Sequence, residues 1–300
     1  MSAKKRALVT GLTGFTGQYV ADELTAAGYE VYGMGERPSA LPRYHQIDLT
    51  DRDAVYVMVA EVMPQVVLHL AGLAFVGHNN AGAFYAVNTV GTRSLLEALA
   101  CDTSQLECVL LASSANVYGN ATGGVLDESA PLNPANDYAV SKLAMEYMAR
   151  LWFDRLPIVI ARPFNYTGVG QSTSFLLPKI VSHFQRDEQC IELGNIDVFR
   201  DFSDVRAVAN AYRRLVQICP AGEVVNVCSG NSHSLSEVLE LVGQIAGYEI
   251  EVKVNPAFVR ANEVRSLLGS AEHLRSIIGA WETPSLRETL DWMYRSPLGE

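Results

Sequence analysis

The chain has 300 residues, 49% of them hydrophobic and 19% charged, which is enough apolar surface for one large domain or two modest ones and too much for intrinsic disorder. A formal net charge of −10 argues against a nucleic-acid-binding face, but an anionic small ligand is still allowed, because a helix N-terminus and one or two arginines set the local field. No run approaches the roughly 20 apolar residues of a membrane span. The five cysteines and six histidines lack CxxC, HxxxH and HExxH spacings, pointing to reduced thiols in a cytoplasmic protein without a metal site.

In chain order, the opening "KKRALVTG" places basic residues before an apolar stretch, but Gly11 cuts it short of a signal-peptide core. "RALVT" (6–10) is therefore read as a first strand, followed by a glycine-rich turn and a helix to about Ala27. "EVYGM" (30–34), "VVLHLA" (66–71), "CVLLAS" (108–113) and "IVIAR" (158–162) are further apolar runs, each preceded by a helix-like segment; Gly28 and Pro157 mark helix ends. Runs apolar on both faces suit parallel strands covered on both sides, so the fold class is α/β, a doubly wound parallel sheet of Rossmann type. After about residue 166 the rhythm loosens into a loop "NYTGVGQSTS", a helix "FLLPKIVSHF" with Pro178 in its first turn, a buried strand "EVVNVCS" (223–229), a helix "LSEVLELVGQIAG", a short strand "EIEVKV" and two helical patterns. This predicts a dinucleotide-binding domain over 1–166 with a returning segment near 204–229. Residues 167–203 and 230–300 are expected to form a smaller mixed α/β substrate domain.

Three stretches carry chemistry. "VTGLTGFTG" sets Gly11, Gly14 and Gly17 between strand and helix, where backbone can approach a pyrophosphate at a positive helix end. At the end of the second strand, "YGMGERPS" has Gly35 where an NAD site favours an acid, with Arg37 just beyond; this leans to NADP(H), NAD(H) being the alternative, while Glu36 between them pulls the other way. Asp48 in "IDLTD" is read either as an adenine contact or as a turn residue. "YAVSK" places Tyr138 and Lys142 on one helix face, a spacing in which an ammonium is expected to ease the phenolate. With "SSANVYG" (113–119), all three lie at strand ends that converge on the carboxyl edge of the sheet.

Together with "DLTD" (48–51), "HLAG" (69–72), "NTVGT" (88–92), "RPFNYTG" (162–168), "FRDFSDV" (199–205) and "RANEV" (260–264), these motifs resemble the extended short-chain dehydrogenase/reductases, in their nucleotide-sugar-modifying branch, over nearly the whole chain. The resemblance implies that Tyr138 is the general acid/base, that Lys142 orients the nicotinamide ribose, and that Ser114 hydrogen-bonds the reacting sugar oxygen. It assigns the cofactor to Gly11, Thr13, Gly14, Phe15, Thr16, Gly17, Arg37, Asp48, Leu49, Leu70, Ala71, Asn88 and Phe164, beside Tyr138 and Lys142. It assigns the substrate to Asn116, Asn165, Lys179, Arg200, Arg260 and Glu263, beside Ser114 and Tyr138. Arginines suit bidentate phosphate pairing, although Arg200 beside Asp201 and Arg260 near Glu263 also fit internal salt bridges.

Family 4,6-dehydratases carry a glutamate where this chain has Asn116, and an amide accepts no proton at neutral pH. The 3,5-epimerase/reductases use a cysteine and a histidine, whereas the corresponding turn here has Ala115. What remains is hydride transfer at C4, which fits reduction of a nucleotide-linked 4-keto-6-deoxy sugar; the resemblance of the overall pattern implies GDP-4-keto-6-deoxy-D-mannose as substrate and GDP-D-rhamnose as product. The alternatives are a 4-epimerase, a 4,6-dehydratase, or a non-catalytic NADP-binding regulator. A homodimer through the "NTVGTRSLLEALA" and "YAVSKLAMEYMARLWF" helices is expected, the latter having an apolar surplus in Met145, Met148, Leu151, Trp152 and Phe153.

Overall fold

The computed structural model describes residues 4–74, 80–119, 124–258 and 264–297. Strands β1 (Arg6–Thr10), β2 (Glu30–Gly35), β3 (Tyr44–Gln46), β4 (Val66–His69), β5 (Cys108–Ala112), β7 (Ile158–Pro163) and β11 (Val224–Val227) form a seven-stranded sheet in the order β11-β7-β5-β4-β1-β2-β3. Every pairing in it is parallel. The doubly wound α/β expectation is met.

The strands' two-residue period sorts the core into two layers. Ala7, Val9, Val66, Leu68, Cys108, Leu110, Val159 and Ala161 face one side, where they meet Val20 and Leu24 of α1 (Phe15–Ala26) and Val208, Tyr212 and Leu215 of α7 (Val205–Ile218). Leu8, Val67, Val109, Leu111, Ile158 and Ile160 face the other, against α2 (Arg52–Val62), α4 (Thr92–Leu99) and α5 (Asp137–Arg150). Most of the apolar surplus on and after α5 is absorbed here. Met145 is buried, and Met148, Trp152 and Phe153 pack against this layer; Leu151 alone of the five is exposed.

The remaining strands were read less well from sequence. β6 (Val125–Leu126), β8 (Asn165–Thr167), β10 (Phe199–Asp204), β12 (Ser232–Ser234) and β14 (Ser266–Gly269) form a second sheet, and β9 (Cys190–Leu193) pairs with β13 (Glu251–Val254). β8 occupies the first residues of the expected loop, because Asn165–Thr167 pair in register with Phe202–Asp204. Helices α6 (Leu176–Gln185), α8 (Leu235–Ala246) and α10 (Leu286–Arg295) share a third core through Leu177, Ile180, Phe184, Val238, Val242 and Leu290. The chain leaves the main sheet after β7 and returns to it as β11, beside β7. The segment before α4 also departs from a simple helix: α3 (Ala81–Tyr85) passes into a π-helix over Ala86–Gly91, which carries Asn88. Among the described residues, no helix is long and apolar enough to cross a membrane.

Candidate active site

The glycine turn leaves the carboxyl end of β1. Gly11 has φ 73°, and a Cβ there would stand 2.9 Å from the Ala71 backbone nitrogen, so only glycine lets β1 and the Leu70–Ala71 segment close on each other. A Cβ on Gly17 would collide with the Gly11 carbonyl oxygen. Gly14 is the N-cap of α1 and supplies no side-chain bond to it, which leaves first-turn amides and the positive helix end for a diphosphate. Phe15 stacks on Tyr166 with ring centroids 6.0 Å apart, and the Thr16 hydroxyl lies 2.8 Å from the Tyr166 hydroxyl. At the end of β2, a Cβ on Gly35 would lie 2.6 Å from the Tyr44 hydroxyl, so a carboxylate there would require Tyr44 to move. That hydroxyl donates to the Arg37 carbonyl, and the Arg37 side chain is exposed beside it. The residues fit a dinucleotide.

Other residues assigned to the cofactor are partly committed elsewhere. Asp48 Oδ1 accepts from the Thr50 amide and hydroxyl, the turn role foreseen for it. The Leu49 side chain is buried beneath Gly91, and the Phe164 ring is buried against Tyr118. Asn88 is pinned: its Oδ1 accepts from Leu73 N at 2.9 Å, and its Nδ2 donates to Leu73 O and to Ser141 Oγ. It thereby ties the loop after β4 to α5. A Cβ on Gly72 in that loop would stand 2.8 Å from Asn88 Oδ1 and 3.2 Å from Lys142 Nζ.

Ser114, Tyr138 and Lys142 come together at the carboxyl end of β5. Tyr138 and Lys142 lie on the first turns of α5, whose start is fixed by Asn136 accepting from the Ala139 amide. Burial pushes the Tyr138 phenol up to about 12, against a hydrogen bond from Ser114 that pulls it down, with Tyr166 adding to the rise. The expected lowering by Lys142 is not found, because the Lys142 ammonium is directed to the Ala112 carbonyl at 2.8 Å. Lys142 is itself buried, and burial lowers it to about 8 against the raising effect of Glu146.

Asn116 has a different partner from those weighed in the sequence. Ser114 Oγ accepts from the Asn116 amide at 3.1 Å and from Asn116 Nδ2 at 3.0 Å. With both those N–H groups aimed at its oxygen, the Ser114 proton is left to donate elsewhere. A glutamate at this position would compete for that proton.

Ser113, the neighbour of Ser114, faces away into a buried network. Its hydroxyl donates to Glu146 Oε1 at 2.5 Å, and Arg162 binds both Glu146 oxygens, at 2.9 and 2.6 Å. Arg162 also donates to the Tyr118 hydroxyl, which donates to Asn226 of β11. A second buried chain runs Thr10–His69–Thr92, with His69 Nδ1 2.7 Å from Thr10 and Nε2 2.8 Å from Thr92. Thr92 donates to the Asn88 carbonyl while Thr10 Oγ1 accepts from the Leu70 and Ala71 amides. These bonds require a neutral histidine protonated on Nε2, and burial, helped by Lys142, lowers His69 to about 3. Both chains escaped the sequence reading. His69 sits in the quoted "HLAG", and Glu146 lies one helical turn beyond Lys142; only that spacing could have flagged them.

The residues assigned to substrate are more dispersed. Asn165 donates to the Asp201 carbonyl. Arg200 is half-buried and donates to the Phe199 and Arg265 carbonyls. It does not pair with Asp201, whose buried carboxylate instead accepts from Ser229 N and Oγ and from Gly230 N. Lys179 donates to the Glu192 carbonyl and sits 4.9 Å from the Phe258 ring centroid. Arg260 and Glu263 lie outside the described residues.

Comparison with known proteins gives a consistent picture. Residues 8–293 match the family described as GDP-mannose 4,6 dehydratase. The chain is 34% identical to a GDP-6-deoxy-D-talose 4-dehydrogenase of Aggregatibacter actinomycetemcomitans, over 98% of each chain. It is 36% identical to a GDP-6-deoxy-D-mannose reductase of Pseudomonas aeruginosa, over 97% of this chain and 98% of that one. Among solved structures, a Burkholderia cenocepacia protein provisionally described as an epimerase superposes with a TM-score of 0.91 at 54% identity, over 97% of each chain. RMD from Pseudomonas aeruginosa, complexed with NADPH, superposes with a TM-score of 0.85 at 33% identity, over 97% of this chain and 96% of that one. The fold agrees with these relatives, and the chain belongs to the GDP-mannose 4,6-dehydratase family of extended short-chain dehydrogenase/reductases.

Proposed function

We propose that this protein is an NADPH-dependent reductase of the C4 ketone of a GDP-linked 4-keto-6-deoxy sugar, with GDP-4-keto-6-deoxy-D-mannose as substrate and GDP-D-rhamnose as product. The observation that carries this reading is the cluster of Ser114, Tyr138 and Lys142 with an amide donor, Asn116, in place of a proton-abstracting acid. A reduced dinucleotide, its diphosphate held at the glycine turn, would supply the hydride. Tyr138, kept protonated by burial, gives its proton to the C4 oxygen. Ser114 donates a hydrogen bond to the same oxygen, and Lys142, as an ammonium, would hold the nicotinamide ribose in place. The crowding of Gly35 by Tyr44, with Arg37 alongside, supports NADPH over NADH.

We assign the cofactor to residues 1–166 with the return at 204–229, and the sugar nucleotide to 167–203 and 230–300, with Asn165, Lys179, Arg200, Arg260 and Glu263 contributing. A cytoplasmic homodimer completes the proposal. Val140, Tyr147 and Leu151 are exposed along one face of α5, with Val90 exposed on the adjoining π-helix, and a second copy would cover them.

A talose product is the second reading, favoured by the relative named for that sugar and differing in which face of C4 receives hydride. Incubation with GDP-4-keto-6-deoxy-D-mannose and NADPH, followed by loss of nicotinamide absorbance and identification of the GDP-sugar, separates the two. Substituting Tyr138→Phe should lower turnover by about 10²- to 10⁴-fold while NADPH binding persists. A non-catalytic binder shows no turnover to lose, and a 4-epimerase or 4,6-dehydratase consumes no NADPH.

A further inference from the structure

α5 presents three side chains, each four residues after the last, to three consecutive residues at the end of β5. Tyr138 is turned toward Ser114, Lys142 donates to Ala112 O at 2.8 Å, and Glu146 accepts from Ser113 Oγ at 2.5 Å. Only the first two belong to the chemistry proposed above. Glu146 is 1% exposed and Arg162, its bidentate partner, 1% exposed. A buried ion pair of this kind costs several kcal/mol of desolvation per ion, and a hydrophobic pair of similar volume would often serve stability as well. Its place beneath Lys142 therefore calls for a reason beyond stability.

We infer that Glu146 is a positioning residue for the reaction: it is the fixed negative charge that keeps Lys142 an ammonium in a dry site, and it holds Ser113 so that Ser114 stays aimed at the reacting oxygen. This rests on the roles proposed for Tyr138, Lys142 and Ser114. Lys142 is buried, and removal from water disfavours its charge. Among the described residues, the other groups around it are not anions. From β4 comes His69, held neutral between two threonines; from β7, the cation Arg162; from the turn after β5, the Tyr118 hydroxyl; from the π-helix, the Asn88 amide. On α3 and α4, Tyr85 is engaged with Asp137 at the surface, and Arg93 with Glu97. Arg162 in turn fixes the carboxylate by two bonds, so that Glu146 neither swings onto Lys142 nor picks up its proton.

The test is the pH profile of NADPH oxidation by the intact enzyme carrying Glu146→Gln. Loss of a nearby opposite charge moves a titration by about 1–3 units, so from a midpoint near 8 turnover should fall about 5- to 500-fold near about pH 8 and less, about 1- to 10-fold, near about pH 6. Glu146→Asp, which keeps the charge, should restore the profile; Ser113→Ala, which keeps the charge and loses the bond, should lower turnover equally at every pH. A second measurement is independent of catalysis. With only five lysines in the chain, carbon-13 labelling of the lysine ε-carbons resolves Lys142 by NMR, assigned by its loss in Lys142→Met. Its midpoint should be near 8 in the wild type and lower in Glu146→Gln. A wild-type midpoint near 10.5, or a midpoint and pH profile unmoved by Glu146→Gln in an active enzyme, would overturn the inference. An enzyme that reduces no 4-keto sugar, yet whose Lys142 midpoint moves as expected, would instead sink the reductase reading and leave the electrostatic role of Glu146 standing. If Glu146→Gln does not fold, the wild-type midpoint and the Glu146→Asp profile still decide.

Discussion

Asn116→Asp is nearly isosteric and exchanges a donor for an acceptor beside the reacting centre. In the native protein Ser114 Oγ receives N–H groups at 3.1 and 3.0 Å, which leaves its proton for the C4 oxygen. A carboxylate at 116 would take that proton instead. The hydrogen bond lost from the transition state is one to a developing charge, about 1.5–3 kcal/mol. At about 1.4 kcal/mol per decade, kcat should fall about 10- to 150-fold. KM for the sugar nucleotide should change little, because the ground-state ketone is a weaker acceptor than the alkoxide. The assay is NADPH oxidation at saturating substrate for Asn116→Asp, Ser114→Ala and the double variant. If Asn116 works through Ser114, the double variant is no slower than Ser114→Ala alone. Additive losses, or a kcat for Asn116→Asp within about twofold of the wild type, would refute the reasoning.

Two further outcomes follow from the geometry. Arg37→Ala should raise KM for NADPH by about tenfold or more through loss of a charged phosphate contact, and leave KM for NADH within about twofold; equal effects on both cofactors would remove Arg37 from the 2′-phosphate. His69 is lowered by burial to about 3 from an ordinary 6.5, so the unfolded chain binds the extra proton between those values. Its contribution is complete above about pH 6.5 and is lost on acidification at up to about 1.4 kcal/mol per pH unit. Urea unfolding at several pH values should show this slope in the native protein and a flatter one in His69→Gln, and an unchanged slope would place the acid sensitivity elsewhere.

The parallel sheet was legible because both-face burial forces continuous apolar runs, as in "VVLH" and "CVLLA". Tyr138 and Lys142 were legible from helical spacing, and the glycine turn from its position between β1 and α1. The second sheet was not, since β8, β12 and β6 are three residues or fewer and their partners lie far off in sequence. Asn116 was noticed for the acid it replaces, but its bond to Ser114 depends on the backbone of the turn. Glu146 and Arg162 read as an ordinary helix charge and a motif arginine; only the packing of α5 onto β7 makes them a buried pair. A motif carries no statement of which way a side chain points, and the side chains of Phe164 and Leu49 are buried in the core.

From Ala81 to Leu99 the chain is one continuous rod, and its midsection over Ala86–Gly91 is wound wider than the ends. Each residue of an α-helix turns the outward direction by about 100°, so slack in the middle resets the angular phase of everything beyond it. Phe84 on one side of the wide turn and Leu95, Leu96 and Leu99 on the other are all buried, while Asn88 between them reaches Leu73 and Ser141. The rod thus behaves as a vernier, with two hydrophobic faces brought into line by one offset. Substitutions along its surface leave that offset intact. Inserting a further residue at Thr89 without widening the winding again would rotate α4 by about 100°, carrying its leucines out of the core. In this segment the number of residues is under tighter constraint than most of their identities.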